Sequence, residues 1–131
     1  METPLSDKKF QFSAAINSQY IIDLYAGDYI MIEETFTDVL HEYDAFVTRI
    51  VTSFQENDRP ALKSAIHKIK PLFGFVGLTS LQAWCLQFEN ACLNISDTDL
   101  AVSFDPLREQ LLAARAIIEK ERMRLAEFNH S

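Results

Sequence analysis

Ala61-Leu62-Lys63-Ser64-Ala65-Ile66-His67-Lys68-Ile69-Lys70-Pro71-Leu72-Phe73-Gly74 decides how this chain folds. Leu62, Ile66, Ile69 and Phe73 recur at steps of three and four, the period of a helix with one buried face. At about 100° per residue, and with Leu62 set at zero, those four lie within about 40° of one another. Lys63, Lys70, Gly74 and His67 fall between about 80° and 140°, on a stripe that flanks the core face. Lys68 points elsewhere and reads as a solvated charge. Asn57 or Asp58 is the expected cap, and Pro60 falls in the first turn, where its missing N–H does no harm. Pro71 cannot donate to the carbonyl of His67, so the helix is expected to kink or loosen there, and to end between Gly74 and Gly77.

Working outward, the same period persists. Ser18 to Ala26 predicts a short helix ending at Gly27. Asp28 then caps a long amphipathic helix of about seven turns, with Ile32, Phe36, Val39, Leu40, Tyr43, Phe46, Val47, Ile50, Val51 and Phe54 on its apolar side. After the central helix, Thr79 or Ser80 is expected to cap another, with Leu81, Trp84, Cys85, Phe88, Cys92 and Ile95 facing inward. Asn94 to Asp99 reads as a loop, and Asp105-Pro106 as the opening of a last helix that buries Leu107, Leu111, Ala114, Ile118 and Leu125. The expected fold is all-α: an up-down antiparallel four-helix bundle with a short additional N-terminal helix. Residues 1–17 read as a loose lead-in, and 18–128 as a single domain.

Composition limits the function. The chain has 131 residues, enough for one domain with a core. Its net charge of −7 argues against binding nucleic acid or an anionic membrane. No apolar run approaches the roughly 18 residues of a membrane span. Met1-Glu2-Thr3-Pro4 lacks signal-peptide character, so a cytoplasmic location is expected. Cys85 and Cys92 stand about 10.5 Å apart along a helix, too far for a mutual disulfide, and read as buried structural thiols.

Against that acidic background, Arg59 to Phe88 contains no Asp or Glu, but does contain Arg59, Lys63, Lys68, Lys70 and His67. A histidine in a local basic field is prepared for an anion, and a phosphoryl group is the obvious one. Imidazole, with a reference pKa of about 6.5, is a competent nucleophile at physiological pH. The phosphoramidate formed would carry about two negative charges, which neighbouring ammonium groups such as Lys63 and Lys70 stabilise. Gly74 would leave room for a second protein to approach.

The segment resembles the signature of the histidine-containing phosphotransfer (HPt) domain. Its elements are a His, an aliphatic residue two later, a Lys three later and a Gly ten later, followed by a Leu and a closing apolar-Glu pair. Here they are His67, Ile69, Lys70, Gly77, Leu81 and Phe88-Glu89, and the similarity spans roughly residues 20 to 125. The resemblance implies that His67 receives a phosphoryl group from a receiver-domain aspartate and passes it to another receiver, within a multistep phosphorelay fed by a hybrid histidine kinase. Lys70, helped by Lys63, would contact the phosphate. Lys68, Pro71, Gly74, Gly77 and Glu89 would belong to the docking surface. One departure stands out: the residue after the motif lysine is usually Gly in that family, and here it is Pro71. Phe73 and Phe75 are also bulkier than the small residues common there.

No acidic cluster near His67 could hold Mg²⁺, and there is no phosphate-cradling glycine loop. The expectation is a carrier without enzyme activity, cofactor or metal of its own, with Mg²⁺ on the partner receiver and a monomer favoured. An adaptor bundle that binds receivers or kinases without being phosphorylated is the alternative. A metal-carboxylate bundle would need Glu-x-x-His pairs on facing helices; Asp38 precedes His41, and Glu127-x-x-His130 lies at a chain end.

Overall fold

The computed structural model describes residues 9–131. Five helices and no strand occur among them: α1 (Ser18–Tyr25), α2 (Tyr29–Gln55), α3 (Arg59–Phe75), α4 (Thr79–Ala91) and α5 (Asp97–Asn129). The four long helices form the expected bundle, and α1 is the short N-terminal addition. α2 packs against both α3 and α5, α3 also packs against α4, and α4 meets α5 more sparingly. Leu62, Ile66, Ile69 and Phe73 are almost completely buried, as the α3 periodicity predicts.

Side chains cap two helices where the sequence suggested. Asp28 accepts from the Met31 N–H at 3.0 Å, and Asp58 from the Ala61 N–H at 3.0 Å. Asn57 is not the cap of α3. It is the left-handed residue (φ 56°) that ends α2, with Asp58 N donating to Ser53 O at 3.0 Å. The turn from α3 to α4 closes in the same manner. Gly77 takes φ 74°, while Leu78 N donates to Phe73 O at 2.9 Å and Gly77 N to Gly74 O at 3.3 Å. These two bonds satisfy carbonyls that the helix end leaves open.

The structure differs from the sequence reading in five places. α3 runs unbroken through Pro71, where a kink or loosening was expected, and ends at Phe75, within the Gly74–Gly77 stretch where the sequence placed its end. Pro71 is exposed, where water can reach the carbonyl it leaves unpaired, and the buried Leu72 and Phe73 hold the following turn. α4 has no side-chain cap: Leu78, buried in the core, holds the cap position in place of Thr79 or Ser80. Trp84 and Ile95 are only half-buried.

α5 begins at Asp97, not at Asp105-Pro106, with Ser96 accepting from the Asp99 N–H at 3.1 Å. Pro106 therefore lies inside α5, and the carbonyl it cannot serve belongs to Val102, which is 68% exposed and open to water. Phe104, just before it, stacks on Phe54 of α2 with ring centroids 3.9 Å apart and planes 2° from parallel. That packing secures the first turns of α5. Finally, residues 9–17 are not loose. Phe10 and Ile16 are buried, Arg124 lies 4.7 Å over the Phe10 ring and donates to Gln11 O at 2.8 Å, and the buried Glu121 accepts from Ser13 N. The rest of the expected lead-in, residues 1–8, lies outside the described residues.

Two polar ties fix the bundle ends. Arg59 donates to the carbonyls of Cys92 and Ile95 at 2.9 and 2.6 Å and pairs with Asp97 at 2.6 Å, so one guanidinium closes the α4–α5 connection. At the other end, Asn17 N donates to Gly77 O at 2.8 Å, and the Tyr25 hydroxyl to Phe75 O at 2.7 Å, which seats α1 on the end of α3. A Cβ on Gly77 would stand 2.5 Å from Ile21 Cγ1 and 2.9 Å from Ile16 Cγ2. Gly77→Ala is therefore expected to lose about 2–4 kcal/mol of stability from the left-handed backbone and the clash combined, read as a lower midpoint in urea denaturation.

Candidate functional site

The angular position of His67 holds in three dimensions. Its side chain is 65% exposed, on the flank of α3 nearer α4. Beneath it, Glu89 of α4 is buried, with 8% of its surface exposed. His67 Nδ1 stands 2.8 Å from Glu89 Oε2, and Lys70 Nζ stands 2.6 Å from Glu89 Oε1. One carboxylate thus receives two donors, three residues apart on the facing helix. An ionised carboxylate only accepts, so the shared proton sits on Nδ1. In the neutral ring this leaves the Nε2 lone pair unprotonated.

Burial pushes the Glu89 carboxyl up, but the hydrogen bonds from Lys70 and His67, followed by their charges, outweigh it. The net effect is a carboxyl held below its ordinary range. Cys85, also between α3 and α4, has its thiol pushed up to about 12, by burial first. Both cysteines are buried and unbridged, as the sequence suggested.

The expected docking residues separate into two groups. Lys68 and Pro71 are exposed beside His67, together with Phe75 at 47%. Gly74, Gly77 and Glu89 are buried and do not line a surface. The space that Gly74 leaves is occupied from within: a Cβ there would stand 2.9 Å from the Gln82 side-chain amide nitrogen, so a side chain of α4 fills it. Gly77 serves the turn and the packing of Ile16 and Ile21. Lys70 points down to Glu89. Lys63 is half-buried on the same flank one turn before His67, and neither it nor Lys68 forms an ion pair among the described residues.

The sequence reading missed Gln82, and it missed that Lys70 and Glu89 are partners. The only signal was the run without acidic residues, which ends at Glu89. Among the described residues no cluster of three or more His, Cys, Asp or Glu could hold a metal ion, and no helix is long and apolar enough to cross a membrane.

An exposed imidazole, oriented from below by a buried carboxylate on a four-helix bundle, defines a class of histidine phosphotransfer domain. Comparison with known proteins agrees. The Hpt domain family model matches residues 34–119, and the chain belongs to that family. Its fold is similar to the crystal structure of the HPT domain from the Hpt sensor hybrid histidine kinase from Shewanella. The TM-score is 0.73 at 19% sequence identity, over 84% of this chain and 95% of that one. No curated protein matches the sequence. The role of the chain is histidine phosphotransfer within a phosphorelay, in a family of phosphoryl carriers that work with receiver domains and histidine kinases.

Glu89→Gln keeps the shape and removes the charge that meets Lys70 and His67. Because the folded carboxyl lies below its unfolded value, its stabilisation is full above the unfolded pKa and fades as pH falls through the folded one. The variant should be less stable by about 1–3 kcal/mol at neutral pH. The gap to wild type should close as pH drops below about 4, a trend that thermal melts across pH would follow.

Proposed function

We propose that His67 is the phosphoryl-accepting residue, taking the group at Nε2 from the phosphoaspartate of a response-regulator receiver domain and passing it to another receiver. A hybrid histidine kinase would feed this relay. The observation that carries the reading is the 2.8 Å contact between Nδ1 and Glu89. It directs the Nε2 lone pair outward, toward solvent and a docked partner, and it holds the ring against rotation.

In the forward step the Nε2 lone pair attacks phosphorus and forms the P–N bond. The P–O bond to the aspartate breaks, and its electron pair leaves with the carboxylate. The ring keeps its Nδ1 proton and acquires positive charge, which the Glu89 carboxylate beneath it balances. Lys63, on the same flank and in no ion pair among the described residues, is the cation that meets the phosphoryl oxygens. Lys70 acts through Glu89, keeping it ionised and in place, rather than on the phosphate. Return of the group to a second aspartate reverses these steps.

On this reading the chain is a carrier without a cofactor. The receiver supplies Mg²⁺ and the carboxylates that hold it, and the relay operates in the cytoplasm with this chain as a monomer. Incubation with a Mg²⁺-loaded, phosphorylated receiver should yield an acid-labile phosphoramidate resonance in ³¹P NMR, lost in His67→Gln. A folded wild type that binds receivers yet never gains that resonance would make the chain an adaptor instead.

A further inference from the structure

His67, Pro71 and Phe75 are four residues apart on the exposed face of α3. Pro71 therefore stands about 6 Å and Phe75 about 12 Å along the helix axis from the histidine. Any protein that brings a phosphorus atom to bonding distance of Nε2 must cover ground around it. A standard interface covers about 800 Å² per partner, a disc of about 16 Å radius. Both residues fall inside such a disc when it is centred on the histidine. The space at Gly74 on this flank is filled by the Gln82 side chain.

The two exposed groups also stand on a fixed stretch of backbone. Proline has no rotamers to rearrange, and its φ is fixed. Phe75 closes α3 between buried Gly74 and Val76, and its carbonyl accepts the Tyr25 hydroxyl at 2.7 Å. An apolar ridge on a fixed backbone discriminates by shape: it rewards a matching recess and disfavours a surface that lacks one. The charge around it favours the same occupant. Arg59 to Phe88 carries no acidic residue, Lys63 and Lys68 are unpaired among the described residues, and Lys70 offsets Glu89. A domain presenting a phosphoaspartate among Mg²⁺-binding carboxylates is its electrostatic complement.

We propose that Pro71 and Phe75 form a specificity ridge that selects which receiver domain can transfer to His67, admitting those with an apolar recess beside the phosphoaspartate. The proposal rests on the phosphotransfer reading above. It assigns the two residues a role in choosing the partner, and none in the chemistry at Nε2.

Transfer rates would be measured from a set of purified receiver domains, each phosphorylated on aspartate, to wild type, Pro71→Ala and Phe75→Ala. Each rate is divided by that variant's own rate from phosphoramidate, a donor too small to reach the ridge. Phe75→Ala should slow the best receiver by about tenfold or more, the scale on which an apolar pocket discriminates. Pro71→Ala should speed the poorest receivers, so that the spread across the set narrows by about tenfold. An unchanged spread in both variants, with wild type active, overturns the ridge and leaves the phosphotransfer reading standing. A wild type that takes phosphate from neither receivers nor phosphoramidate overturns both.

Discussion

A buried carboxylate governs this surface. Glu89 sits in the seam between α3 and α4, where an ionised oxygen is unfavourable unless donors replace its lost water. Lys70 and His67 are those donors. Because Lys70 satisfies one oxygen from the side, the other is fixed in position and the imidazole above it takes one orientation. The arrangement depends on α4 arriving in register with α3. That register is set about three turns away, at Gly77, by a left-handed residue packed beneath Ile16 and Ile21.

A phosphoryl carrier has to expose its reactive atom to a partner and cannot place it in a deep cleft. Rigidity must then come from below. In this chain the underside of α3 is formed by Ile66, Ile69 and Phe73, all buried, and its two ends are tied to other helices. Arg59 ties the beginning to the α4–α5 connection, and the Phe75 carbonyl ties the end to α1. The histidine is thus mobile only about its own bonds, and Glu89 restricts those. Lysines that look equivalent in sequence have different tasks as a result. Lys70 stabilises a buried anion, while Lys63 and Lys68 leave positive charge on the surface.

Proline inside a helix is the feature that local rules handle worst in this molecule. Both Pro71 and Pro106 signal a break, yet α3 and α5 continue through them. The lost hydrogen bond is real, but each proline is exposed, so water can satisfy the carbonyl it leaves unpaired. Tertiary contacts outweigh the remaining penalty: Phe73 in the core after Pro71, and Phe104 stacked on Phe54 before Pro106. The burial of Phe10 and Ile16 was illegible for a related reason. Their partners, Arg124 on α5 and the turn at Gly77, are distant in sequence.

By itself, the sequence determined the five helices, the buried stripe of α3, the cap at Asp28, a cap for α3 at Asn57 or Asp58, and a flanking position for His67. It also carried the spacing by which the family is known. All of these follow from the helical period and from capping, which act between residues close along one chain. The tertiary structure alone decided that Lys70 serves Glu89, that Gln82 fills the space at Gly74, and that Pro71 and Phe75 are left as the exposed ridge. Those outcomes depend on which turns of α3 and α4 face each other, and that register arises from side-chain packing between helices, which no local pattern encodes.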